Sequence, residues 1–176
     1  MSEIMNIYKY PHSVLRKKAT EVKNIDGDTQ DLINCMAETM YSASGIGLAA
    51  NQVGELKRII MYDITPKDRG RNLTVLINPE IVASEGEMIH EEACLSVIDF
   101  SAEVKRSALV RVKGFDRDGN PVVIDAENSL LAVCLQHEID HLNGILFIDH
   151  ISHLKRSLYK RKLKKILENN KGKYNP

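Results

Sequence analysis

The chain has 176 residues, enough for one compact domain with a real core. Lys plus Arg and Asp plus Glu balance at 24 each, so the overall charge singles out no partner, and 43% hydrophobic residues with 5% aromatics and no Trp read as an ordinary globular composition. Three widely spaced cysteines (Cys35, Cys94 and Cys134) make a poor disulfide framework and point to a reducing compartment. The start MSEIMNIYKYPHS lacks the pattern of a signal peptide, and no apolar run approaches the roughly 20 residues of a membrane span. A cytoplasmic protein with no membrane segment is therefore expected, as a single domain over residues 1–176.

Residues 1–27 read as irregular, broken by Pro11 and Gly27. From Thr29 to about Ala43 the spacing of Leu32, Ile33, Met36 and Met40 predicts an amphipathic helix, stopped by Gly45, with Cys35 as a small core residue. The stretches 58–64 (RIIMYDI) and 73–82 (LTVLINPEIV) read as strands. ALVRVKGFD and PVVIDAE flank Arg117-Asp118-Gly119-Asn120, a hairpin turn. SLLAVCLQHEIDHLNG then predicts a helix capped by Asn128 or Ser129 and closed by Gly144. It is apolar nearly all round before His137, and so buried. A last helix covers about 152–168. Helix, strands, buried helix and terminal helix together predict an α+β fold, mostly antiparallel.

Residues 137–141 read His-Glu-Ile-Asp-His. On a helix, His137 and His141 stack four apart and can meet at one ion, while Glu138 is better placed to take a proton from water there than to bind. The third ligand is narrowed by elimination. Phe147 stands where one protease class has a third His, and after Asp149 the only acid is Glu168, on a basic helix. His150 and His153 have no fixed direction toward the site. Cys134 and His141 are about 10 Å apart along the axis at 1.5 Å per residue, so Cys134 is expected to wall the pocket. Cys94, in EEACLSV outside any helical pattern, is the remaining candidate for a Cys-His-His site with one open position.

Three segments, GIGLAANQVG (45–54), EEACLSV (91–97) and QHEIDHLNG (136–144), occur in the order found in peptide deformylases, and INPEI and GFDRDGNPV extend the likeness. The chain resembles that family over most of its length. The resemblance implies antiparallel sheets around the helix carrying HExxH, and removal of formyl from the N-terminal methionine of nascent polypeptides. It implies Cys94, His137 and His141 as metal ligands, Glu138 as general base, and Gln52 and the Leu95 N–H as donors to the formyl oxygen. Such donors stabilise the charge that builds there. Gly45, Ile46, Gly47, Leu130, Val133 and Cys134 are the expected substrate-binding residues. Read alone, GIGLAANQVG could equally be a helix end and a Gly-rich turn.

Two departures from the family pattern stand beside the site. Ala93 replaces a usual Gly and is expected in an extended segment at negative φ, and Val97-Ile98 replaces Ile-Pro, with no Arg following in Asp99-Phe100-Ser101. Ligand preference alone reads the site as zinc. The resemblance implies ferrous iron natively, with zinc, nickel or cobalt in purified samples. The terminal helix carries seven Lys or Arg between 155 and 165, with Leu154, Leu158, Ile166 and Leu167 as its apolar edge. It reads either as a packed helix with a solvated face or as a dock for ribosomal RNA. A monomer is expected. The alternatives are a zinc metallopeptidase and a ribosome- or RNA-binding relative with weakened activity.

Overall fold

The computed structural model describes residues 3–169, so the two ends of the expected 1–176 span lie outside the described residues. In chain order the elements are α1 (Gly27–Ser42), β1 (Gly47–Ala49), β2 (Ile59–Tyr62), β3 (Thr74–Glu85), β4 (Met88–Cys94), β5 (Val97–Arg106), β6 (Leu109–Phe115), β7 (Pro121–Glu127), α2 (Leu130–Leu142) and α3 (His153–Asn169), with short 3-10 turns between them. One sheet runs β1-β2-β3-β6-β7 and a second pairs β4 with β5. Every pairing is antiparallel, as an α+β chain of this element order was expected to be.

α1 begins at Gly27, two residues before the expected start at Thr29, because Asp26 caps it: its carboxylate accepts from the Thr29 N–H at 3.0 Å. It ends at Ala43 and Ser44, with Ser44 at φ 57°, rather than at Gly45. Ile33, Met36 and Met40 are buried, whereas Cys35 is only half-buried and is not the core residue expected.

The five-stranded sheet is covered on both faces at β1, β2 and the start of β3, and on one face at β6 and β7. Strand side chains alternate, so Ile59, Met61, Val75 and Ile77 pack with the buried face of α1, and Ile60, Tyr62, Leu76, Val110 and Val112 pack with α2. Burial on both faces is why RIIMYDI reads as a continuous apolar run rather than an alternation. Gly119, at φ 85°, makes the predicted β6–β7 turn, and Asp116 accepts from the N–H of Asp118 and of Asn120.

α2 is the helix expected after residue 128. Ser129 caps it, accepting from the Ala132 N–H at 3.3 Å, and ten of its residues from Ala132 to Leu142 are buried. Asn143 and Gly144 end it. Gly144 has φ 74°, and a Cβ there would overlap the carbonyl of Arg16, so glycine is required on two counts.

The β4–β5 hairpin was not legible as strands, and the first 27 residues contain more than irregular chain. A 3-10 turn spans Ser13–Arg16, and Thr20 bridges Lys57. Val14 and Leu15 join Val97, Val104, Phe147 and Ile148 in a separate cluster, which α3 closes with Tyr159 and Leu163. The packing edge of α3 matches the expected one at Ile166 and Leu167, which pack against this cluster, and departs from it earlier in the helix. Leu154 and Leu158 are exposed, at 69% and 54%, and Tyr159 and Leu163 are buried in their place. No described helix is long and apolar enough to cross a membrane.

Candidate active site

α2 and the end of β4 bring three candidate ligands of two types, a thiol and two imidazoles, together. His137 and His141 project from adjacent turns of α2, their ring centroids 5.0 Å apart and the rings inclined at 68°. Cys94 ends β4 at a register shift that turns the chain toward Val97, and its Sγ lies 3.2 Å from His141 Nε2. Ligand atoms of Cys94, His137 and His141 all lie within 4.8 Å of one another and could hold a metal ion. Burial, aided by the charges of His137, Arg106 and Arg16, holds His141 well below the ordinary imidazole range, whereas at His137 burial is outweighed by hydrogen bonds with Cys94 and Glu92, which hold it well above that range.

A buried chain of charge fixes His137 from behind. Its Nδ1 is 2.7 Å from Glu92 Oε2, and Glu92 accepts two bonds from Arg106, at 2.7 and 3.0 Å. Burial alone would raise the Glu92 carboxyl, but hydrogen bonds from Arg106 and His137 outweigh it and bring the pKa down to about 2. Arg106 also donates to Asp140 Oδ2 at 2.6 Å, and His150 Nε2 meets the same oxygen at 2.7 Å. His150 is thereby accounted for away from the three ligand atoms, and His153 lies exposed at the start of α3.

Glu138 is buried beside this candidate metal-binding cluster, and its Oε2 has no hydrogen-bond partner. Burial raises its carboxyl to about 7, against the opposing pull of His137. That value suits a group that takes up and releases a proton near neutrality. Gly47 makes room for it, since a Cβ at that position would overlap Glu138 Oε1 and crowd Cys134 Sγ.

GIGLAANQVG is more than a helix end and a turn. It forms β1 and a 3-10 turn over Ala50–Val53 that buries Gln52. The side-chain oxygen Oε1 of Gln52 accepts from the Ala49 N–H at 2.9 Å. Its Nε2 reaches Ser96 Oγ at 3.1 Å and Cys94 Sγ at 3.6 Å, so the amide is aimed at the ligand cluster.

These groups open on a cleft of about 380 Å³. Gly45, Ile46, Gly47, Leu130, Val133 and Cys134 all line it, as do Gln52, Leu95 and Glu138. Sequence reasoning missed Glu92, Arg106 and the cleft-lining Ser44, His90 and Glu91. The available signal was alternation: His90, Glu92 and Cys94 share one face of β4, two residues apart. Ala93 sits in β4 opposite Ser101 and is not among the residues at positive φ, in agreement with its expected extended conformation.

The sequence profile described as polypeptide deformylase matches residues 4–157. The chain belongs to the peptide deformylase family. The peptide deformylase of Thermodesulfovibrio yellowstonii is 56% identical to it, the match covering 92% of this chain and 97% of that relative. Among solved structures, a peptide deformylase from Legionella pneumophila superposes with a TM-score of 0.89 at 46% identity, covering 97% of this chain and 99% of that one. The enzyme from Synechococcus elongatus, solved in complex with actinonin, gives 0.86 at 39% identity, covering 91% and 88%. The chain is thus an amide hydrolase of the deformylase type, a metal-dependent enzyme that removes N-terminal formyl groups. Neither the metallopeptidase nor the RNA-binding alternative is favoured by these matches.

Proposed function

We propose that Cys94, His137 and His141 hold one divalent ion, with Glu138 as the general base, in hydrolysis of the formyl group of N-formylmethionyl nascent peptides. The observation that carries this reading is the clustering of Sγ and two imidazole nitrogens within 4.8 Å beside an unpartnered buried carboxylate. Four-coordinate ions with bonds of about 2.0–2.3 Å place their donors roughly 3.5 Å apart, so three donors this close need little adjustment, and a fourth position is left for substrate or solvent. With Nδ1 of His137 held by Glu92, its Nε2 is the nitrogen free to bind.

A bound ion supplies a lowered pKa for water and polarisation of the formyl carbonyl. The protein does the rest. Glu138 Oε2 accepts the proton of the attacking water and returns it to the departing amine of methionine. The Gln52 amide and the Leu95 N–H stabilise the charge that develops on the formyl oxygen. Ile46, Leu130 and Val133 give the methionine side chain an apolar bed, and the missing side chains of Gly45 and Gly47 leave room for Leu95 and Glu138 to stand at the cleft.

A soft thiolate with two imidazoles accepts iron, zinc, nickel or cobalt. We assign ferrous iron as the native ion on the family resemblance, and zinc as its easy replacement during purification. The basic face of α3 supports docking on ribosomal RNA: Lys155, Lys160, Arg161, Lys162, Lys164 and Lys165 are exposed, while Tyr159 and Leu163 pin the helix to the body. A cytoplasmic monomer completes the reading. Protein prepared without oxygen and loaded with iron should release formate from formyl-Met-Ala-Ser. Absence of formate with full iron occupancy would sink it.

A further inference from the structure

The N-terminal segment touches the site through three consecutive residues. The Tyr8 N–H donates to the carbonyl of Gln52 at 2.8 Å, Lys9 Nζ donates to the carbonyl of Leu95 at 2.5 Å, and the Tyr10 N–H donates to the carbonyl of Ser96 at 2.7 Å. Two of these bonds are made by backbone. Lys9 alone acts through its side chain, half-buried and 86 residues from its acceptor in sequence.

The acceptor has a partner of its own. The carbonyl of Leu95 and the N–H of Ser96 are the two ends of one peptide unit, and the Ser96 N–H points at Cys94 Sγ, 3.4 Å away. An ammonium on the oxygen polarises the whole amide and makes the N–H a stronger donor. The Lys9 charge is thus relayed through a single peptide plane to the sulfur. The same bond also fixes the turn that carries the Leu95 N–H.

We propose that Lys9 is a positioning residue that sets the donor strength of the Cys94 thiolate and, by fixing the Leu95 carbonyl, holds the turn that carries the Leu95 N–H in register with the formyl oxygen. The inference rests on the reading of Cys94 as a metal ligand and of the Leu95 N–H as a donor. A simple anchor is the competing role, but the Tyr8 and Tyr10 backbone bonds anchor the segment without any help from Lys9.

The test compares wild type with Lys9→Met, which keeps the apolar stem and removes the charge, and with Lys9→Arg, which keeps the charge. Lys9→Gln is read in the same way if Lys9→Met does not fold. Each protein is assayed on formyl-Met-Ala-Ser, melted, and loaded with cobalt to record its sulfur-to-cobalt charge-transfer band. Groups standing behind metal ligands are typically worth about 10- to 100-fold. The uncharged variant should lose about tenfold or more in kcat, with KM within about twofold and the band displaced, and Lys9→Arg should restore most of both. An undisplaced band, with kcat unchanged or reduced only in step with melting, overturns the proposal. A wild-type protein with no such band overturns the ligand reading itself, and this inference with it.

Discussion

His137 and Glu92 meet at 2.7 Å inside the protein, and Glu92 is held in turn by Nε and Nη2 of Arg106. The ring of His137 on α2 is therefore oriented by a carboxylate on β4 and a guanidinium on β5. Arg106 is only 6% exposed and serves two acids, Glu92 and Asp140. Removing one partner of a buried ion pair typically costs about 3–5 kcal/mol, because the other charge stays buried without compensation. Arg106→Met should lower stability by about that amount and weaken metal binding. Chemical denaturation together with metal titration checks both, and a variant within about 1 kcal/mol of wild type would mean that Glu92 carries no charge there.

Glu138→Ala should keep its metal and lose about 10² to 10⁴ in turnover, the usual worth of a positioned base. Gln52→Ala should also keep its metal and lose about 10² to 10³, as when one oxyanion donor is removed. The second variant has a structural cost as well. The Ala49 N–H and the Ser96 hydroxyl both lose a buried partner, at about 1–3 kcal/mol for a group left unsatisfied. Single-turnover rates on folded, metal-replete protein separate the two effects. Metal loss in Glu138→Ala would place that carboxylate among the ligands.

Asp63 governs part of the acid stability. Its burial would raise the carboxyl, but the Asn72 N–H, the Tyr41 hydroxyl and the Thr65 N–H, all within 2.9 Å, bring it from 3.8 down to about 2. A depressed folded pKa stabilises the protein above the unfolded value and loses that contribution as pH falls through the folded one. Stability of the wild type should therefore decline between pH about 4 and about 2. Asp63→Asn should show a shallower decline over that window, measured by denaturation at a series of pH values. Identical slopes would show that other carboxylates account for the acid limb.

Truncating α3 is a poor test of ribosome docking, because it would strip Tyr159 and Leu163 from a core cluster. Replacing Lys160, Arg161, Lys164 and Lys165 by Gln leaves those side chains in place. The quadruple variant should melt near wild type, retain activity on short peptides, and bind ribosomes with a weaker and less salt-dependent affinity. Unchanged, salt-sensitive binding would move the dock elsewhere.

The elements that sequence reveals best here are those whose periodicity is apolar. α1, α2, β2, β3 and the β6–β7 hairpin follow from the spacing of Ile, Leu, Val and Met, and the α2 cap and stop from Ser129 and Gly144. β4 and β5 escape for the opposite reason. The inward positions of β4 are His90, Glu92 and Cys94, so polar and thiol side chains occupy the places where an apolar alternation would announce a strand. Arg106 was hidden likewise, a single arginine whose two acidic partners lie 14 and 34 residues away. The His-Glu-x-x-His pair was legible from spacing alone, whereas Cys94 needed the family resemblance, because nothing local in EEACLSV says that its strand ends against α2.

The central claim is that Cys94, His137 and His141 together hold the ion that makes this chain a deformylase. Metal content and formate release from formyl-Met-Ala-Ser, measured side by side on wild-type and Cys94→Ala protein prepared without oxygen, test it most directly. Wild type should bind one ferrous ion per chain and release formate, and Cys94→Ala should do neither while remaining folded. Full metal occupancy with activity retained in folded Cys94→Ala would contradict the account.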